Sequence, residues 1–216
     1  MSESKSKPEI VLIGGGGHCK SCVDVIESED KFVIAGIVDS SLGAGTKIFG
    51  YTVLGNDSKL PEIRKTINFA LLTMGQIKSA SVRKNIEKIL RDLNFELPVV
   101  IASTAYVSKH STIGRGTIVM HKALLNAAAK IGENCIINTG AIIEHDCEIG
   151  NFVHVSTGSI INGNSKINDH CFIGSGTVVK ESIKIQSEII IAAGSLVIKS
   201  LEQKGTYSGQ PATLKS

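Results

Sequence analysis

The sequence predicts an α/β N-terminal unit of half-Rossmann type, followed by an all-β parallel β-helix of hexapeptide repeats. Three observations predict it. From Ile101 to Val197 every sixth residue is aliphatic. The residue four places after each of these is usually small. Upstream, a short apolar run from Glu9 to Ile13 ends in a run of glycines, Gly14 to Gly17.

A period of six fits neither a helix nor a simple strand. It is the signature of a solenoid with one short strand per repeat. Large residues such as Ile137, Ile143, Ile149 and Val155 fill the axis. Ala141, Cys147, Ser159 and Cys171 take the small inward place, with Val153, Ile183 and Ile189 as exceptions. Turn formers lie between them, among them Gly116, Asn134, Gly140, Asp146, Gly158, Asn164 and Gly176. Three hexapeptides close a coil of about 18 residues, and coils stack at about 4.8 Å. Stacked coils need capped ends. The expected division is residues 1–100, a nucleotide-binding unit; 101–200, the solenoid; and 201–216, a capping tail.

In the first hundred residues, the strand Glu9–Ile13 and the glycine run precede a helix from about His18 to Ser28. A second strand, Phe32 to Val38, ends at Asp39. Strand, glycine loop, helix, strand and acid is the start of a Rossmann-like unit. The glycines let a phosphate approach backbone N–H groups at a helix N-terminus. An acid closing the second strand can accept from a ribose or base. A third strand at Phe69 to Leu72, a helix from Ser79 to Leu93 and a strand from Leu97 to Ile101 complete the unit. It is half a dinucleotide fold and suits a mononucleotide. Cys19 and Cys22 form a C-x-x-C without a thioredoxin pattern or a zinc partner motif, and read as small helix residues.

Composition narrows the classes. The chain has 216 residues, no Trp and a net charge of +3. No basic stripe with interleaved aromatics occurs, which argues against nucleic-acid binding. The N-terminus MSESKSKPEI is polar, and Ile10 to Ile13 is too short for a signal peptide or membrane span. Unpaired cysteines at inward positions lead us to expect a reduced, cytoplasmic protein.

The segments VLIGGGGHCK, IVDSS, Gly75-Gln76 with Ser81-Val-Arg-Lys-Asn-Ile, and INTGAIIEHDCEIGNFVHVSTGSIINGNSKI resemble the family of sialic acid O-acetyltransferases and bacillosamine-type sugar N-acetyltransferases. The closing GTYSGQPATL resembles the tail of hexapeptide acyltransferases. The resemblance implies a left-handed parallel β-helix, a homotrimer, acetyl-CoA as donor and a nucleotide-linked amino sugar as acceptor, with no metal. It implies His145 as base, Glu144 and Asp146 as its carboxylates, and Asn138 nearby. It implies His154, Gly163, Gly174 and Ala192 at the acetyl-CoA site, and Gly16, Gly17, His18, Asp39 and Gly75 at the acceptor. Two departures stand out. The acidic pair common at the second strand is Asp39-Ser40 here, and a His common before the solenoid is missing around Ala102.

The chemistry suits a histidine. An attacking amine or hydroxyl must shed a proton, and imidazole titrates near neutral pH. His145 lies two residues after inward Ile143, so it faces outward beside two carboxylates. His154 lies half a coil away, and a groove between subunits is expected to unite one chain's His145 with another's His154. The leading reading is N-acetylation of a nucleotide-linked 4-amino sugar. O-acetylation of sialic acid or a related sugar is the alternative, and a non-catalytic scaffold or sugar-nucleotide sensor is the alternative of another class. A γ-type carbonic anhydrase would need three zinc histidines in a fixed arrangement, which the flanking sequence does not match.

Overall fold

The computed structural model describes residues 7–215, so most of the polar stretch MSESKSKPEI lies outside the described residues. The chain divides into two compact units. The first comprises the chain up to Gly75 together with Asn85–Pro98. The second comprises Gln76–Lys84 and Val99–Ser216. The segment 76–84, read from sequence as part of the nucleotide-binding unit, therefore groups with the solenoid.

In the first unit, β1 (Glu9–Ile13), β2 (Val33–Val38) and β5 (Phe69–Leu72) form a parallel sheet with β1 central. β1 is buried after Glu9, as expected of a central parallel strand covered on both faces. α1 (Gly17–Glu29) follows the glycine loop and buries Cys19, Cys22, Val23 and Ile26. α2 (Leu60–Ile63) buries Leu60. α3 (Ser81–Asp92) begins within the segment 76–84 and returns to the first unit, where Ile86 and Leu90 join its core. The sequence reading missed a hairpin, β3 (Lys47–Ile48) and β4 (Tyr51–Gly55), which extends the sheet in the order β3-β4-β2-β1-β5. Its two-residue turn holds Phe49 at φ 50° and Gly50 at φ 90°. Such turns usually announce themselves as Asn-Gly or Asp-Gly, and a Phe in the first place hides the signal.

The second unit is the expected left-handed parallel β-helix. Two-residue strands stack on three faces, each pairing in parallel with the strand one coil away, as Leu124 with Ile142 and Ile142 with Ile160. Each strand carries an outward residue followed by the inward aliphatic. On one face the outward row is apolar, running Tyr106, Leu124, Ile142, Ile160, Val178 and Leu196. On the next it is mostly charged, with Lys130, Glu148, Lys166 and Lys184. The third carries Ile118, Ile136, His154, Phe172 and Ile190.

The inward aliphatics from Val119 to Val197 are buried in one continuous cluster, each side chain contributing about 1.5–3 kcal/mol by leaving water. Ile101, Val107 and Ile113 of the first coil are only partly buried. At the other end, Leu201, Tyr207 and Ala212 of the tail join the core, and Thr206–Ser208 continues the third face beside Ile190–Ile191.

Two regularities make the corners. Every sixth residue from Gly116 to Gly194 has a left-handed backbone, including Lys122, Asp146, Phe152 and His170. The small inward residues do more than save space. Thr117, Cys135, Cys147, Ser159, Ser165, Cys171 and Thr177 each donate to a carbonyl of the next coil: Gly132, Gly150, Asn162, Gly174, Lys180, Gln186 and Ala192. An inward hydroxyl or thiol thus supplies a donor to a backbone acceptor at the tight corner; Gly174 O and Ala192 O also accept from Thr177 N and Ser195 Oγ. All five cysteines are free and buried. No helix among the described residues is long and apolar enough to cross a membrane.

Candidate active site

His145 stands at the corner that follows the apolar face, with its side chain 62% exposed. Asp146 takes the left-handed corner position at φ 60°, and its Oδ2 lies 2.8 Å from His145 Nδ1. A carboxylate only accepts, so Nδ1 carries the proton and Nε2 is left with a lone pair. One coil further on, Gly163 faces the ring. The residue expected at the acetyl-CoA site thus lies against the imidazole of the expected base. Glu144, the other expected carboxylate, accepts from Asn126 Nδ2 at 2.7 Å.

Asn138 belongs with His154 rather than with His145. Its Nδ2 lies 3.1 Å from His154 Nε2. His154 Nδ1 lies 2.6 Å from the Gln76 carbonyl, which fixes the tautomer: Nδ1 donates to Gln76 and Nε2 accepts from Asn138. Gln76 is tied down in turn, its Nε2 donating to Phe152 O at 2.6 Å. Arg83 donates to Asn134 O at 2.9 Å. Burial pushes the His154 pKa down to about 4, with Arg83 acting in the same direction and the Gln76 carbonyl opposing it. Both ring nitrogens are engaged, and the residue is only 7% exposed. Sequence reasoning missed Gln76, Arg83 and Asn126 in these roles, because nothing in local spacing ties them to residues so distant in sequence.

Gly174 and Ala192 occupy one corner column with Asn138, since Ile137, Val155, Ile173 and Ile191 pair in successive coils and each precedes a column residue. A Cβ on Gly174 would meet Ala193 N at 2.5 Å and Ala192 C at 2.6 Å, so the close approach of the next coil's backbone at this point demands glycine.

In the first unit, Gly16 caps α1 and Gly17 opens it. A Cβ on either would meet nothing within 4 Å. The chain itself does not require these two glycines, and their bare N-terminal helix turn is open to an anion. His18 follows in α1, and a Cβ on Gly75 would touch its Cβ at 3.8 Å. Asp39 does not present a free carboxylate. Oδ2 accepts from Gly15 N at 2.6 Å, and Oδ1 accepts from Ser41 N, Ser41 Oγ and Leu42 N at 2.8, 2.6 and 3.0 Å. Three donors crowd Oδ1 and one reaches Oδ2, so Asp39 shapes the loop and keeps acceptor capacity at Oδ2. Burial pushes the Asp39 carboxyl up, but the hydrogen bonds from Ser41, Gly15 and Leu42 outweigh it and hold it below its usual range. Among the described residues, no group of three or more His, Cys, Asp or Glu side chains is placed to hold a metal ion.

Comparisons with known proteins agree with this architecture. Residues 9–90 match the PglD N-terminal domain family, and residues 128–163 match the bacterial transferase hexapeptide (six repeats) family. No curated protein matches the chain. Among solved structures, it is similar to a perosamine N-acetyltransferase variant from Caulobacter crescentus, with one histidine replaced by asparagine, in complex with CoA and GDP-perosamine; identity is 29% over 100% of both chains, with a TM-score of 0.90. The acetyltransferase domain of PglB from Neisseria gonorrhoeae, in complex with acetyl coenzyme A, is 27% identical over 97% of this chain and 100% of that one, with a TM-score of 0.88. WeeI from Acinetobacter baumannii is 25% identical over the same shares, with a TM-score of 0.81. The chain thus joins a PglD-type N-terminal domain to bacterial transferase hexapeptide repeats, and over its full length it is similar to sugar acetyltransferases.

Proposed function

We propose that the protein is an acetyl-CoA-dependent acetyltransferase acting on the amino group of a nucleotide-linked 4-amino sugar, with His145 as general base. The observation that carries this reading is the 2.8 Å contact of His145 Nδ1 with Asp146, which leaves Nε2 as an outward acceptor. As the amine attacks the thioester carbonyl, Nε2 takes the amine proton, and Asp146 stabilises the imidazolium. Collapse of the adduct breaks the C–S bond and releases the coenzyme thiolate, which takes up the proton. The acceptor's nucleotide sits against Gly16 and Gly17, near His18 and Gly75, on a loop that Asp39 holds in shape. The donor follows the column of Asn138, Gly174 and Ala192 beside His154. Relatives whose structures hold CoA and GDP-perosamine support this choice of ligands.

An exposed base needs cover. The apolar row from Tyr106 to Leu196 lies beside the His145 corner, and Tyr106 is 61% exposed. A homotrimer buries this row, shields His145 and closes the interface into a ring. A reducing, cytoplasmic setting suits the free thiols.

The test is coenzyme A thiol release with UDP-, dTDP- and GDP-linked 4-amino sugars. His145→Ala should lose about 10²- to 10⁴-fold in kcat with both ligands still bound. Hydroxylamine treatment separates the readings of the product, since an amide survives it and an O-acetyl ester does not. Near wild-type turnover in His145→Ala would remove the assigned base.

A further inference from the structure

Within the second unit, the start of α3 and the upper coils enclose a basin of about 220 Å³ that the acetyl-transfer reading leaves unused. Its titratable lining is Lys78 and Lys84 from around the start of α3, and Lys204, Glu188 and His170 from the coils and tail. Lys204 is held by Glu188, which engages the one carboxylate in that lining. Among the described residues, no carboxylate forms an ion pair with Lys78 or Lys84. The basin thus carries three lysines against one carboxylate, Glu188, which Lys204 engages directly and Lys84 feels only at longer range. α3 begins at Ser81, so the positive end of its dipole adds to the same field. The Ser79 hydroxyl accepts from Ser81 N at 3.1 Å, which leaves its own proton to donate, and Thr206 supplies a second hydroxyl. Burial, and then Lys84, lower the pKa of half-buried His170, while Asp169 and Glu188 oppose them.

Paired ammonium groups, hydroxyl donors and a helix N-terminus around a small volume are the elements of a site for a tetrahedral, multiply charged oxyanion. We propose that this basin binds a phosphoryl group, with Lys78 and Lys84 as its principal cationic contacts. The site shares no residue with the glycine loop of the first unit, and where its ligand is the coenzyme or the nucleotide it rests on the acetyl-transfer reading. The phosphoryl group can belong to the coenzyme, to the nucleotide of the acceptor, or to a free phosphate.

Isothermal titration of the full chain with coenzyme A, GDP and inorganic pyrophosphate tests this. The Lys78→Gln/Lys84→Gln variant should bind at least one probe about tenfold more weakly, with a shallower dependence on salt, while Lys84→Arg should retain most of the affinity. The probe that loses affinity identifies the source of the phosphoryl group. Both lysines are exposed, so the melting temperature should not move. Unchanged affinity for all three probes, or loss restored by no cationic replacement, overturns the proposal. The pyrophosphate arm and the turnover of His145→Ala are independent, so failure here is distinguishable from failure of the acetyl-transfer reading.

Discussion

The imidazole of His145 occupies the space that a side chain at Gly163 would need. A Cβ there would stand 2.8 Å from both Cε1 and Nε2, and 3.3 Å from Cδ2. Gly163 therefore sets where the ring of the proposed base rests. Gly163→Ala should push the ring aside and lower kcat on the order of 10- to 100-fold with little change in either KM. The melting temperature should hardly change, because the displaced ring is largely exposed. In a double-mutant cycle, adding Gly163→Ala to His145→Ala should cost nothing further. A Gly163→Ala enzyme with normal kcat would show that the ring has room to move.

His154 should make the fold acid-sensitive. Its folded pKa, about 4, lies below the ordinary value of 6.5. The unfolded chain thus binds a proton that the folded chain refuses. The contribution of neutral His154 is fully present above about pH 6.5 and falls away toward pH 4, by on the order of 3 kcal/mol in total. Denaturant midpoints measured between pH 6.5 and 5, before most carboxylates titrate, should fall in the wild type and flatten in His154→Gln. Parallel slopes in both proteins would show that another group carries the effect.

The inward thiols should behave as donors. Cys171 Sγ donates to Gln186 O at 3.0 Å. Cys171→Ser keeps a donor of similar size and should be tolerated. Cys171→Ala leaves the corner carbonyl buried and unpaired, at about 1–3 kcal/mol. If thermal melts rank Ala above Ser, the inward position rewards only small size.

Axis and surface should differ far more. Ile173 is fully buried in the solenoid core, and Ile173→Asp places a carboxylate there without a partner, costing several kcal/mol. Thr157→Asp, at an exposed corner, should be nearly neutral. Circular dichroism after expression of both variants checks the inward phase.

The solenoid was legible because one inward aliphatic every sixth residue leaves a periodic trace in the sequence. Its corners were half legible. Gly116, Asn134 and Asp146 advertise a left-handed backbone, whereas Phe152, Lys122 and Glu188 adopt the same conformation without any such preference. The β3–β4 hairpin was invisible for the same reason at Phe49. At the site, Asp146 beside His145 could be read from adjacency alone. The bonds of His154 to Gln76 and of Asn126 to Glu144 could not, since each depends on coil stacking or on a segment far away in the chain. The acid after the second strand could be read from position, but the four local donors to Asp39 that shape the loop could not.

The grouping of Gln76–Lys84 with the solenoid bears on how such proteins can be recombined. A fragment starting at Val99 would carry the repeats yet lack the Gln76 carbonyl that His154 donates to and the Arg83 guanidinium that caps Asn134 O. A chimera that exchanges the first hundred residues for those of a relative would import a foreign strap across its own coils. The transplantable module is therefore discontinuous: to graft a relative's first unit onto this scaffold, the incoming sequence must be interrupted at Gly75 and resumed at Asn85, leaving the strap native.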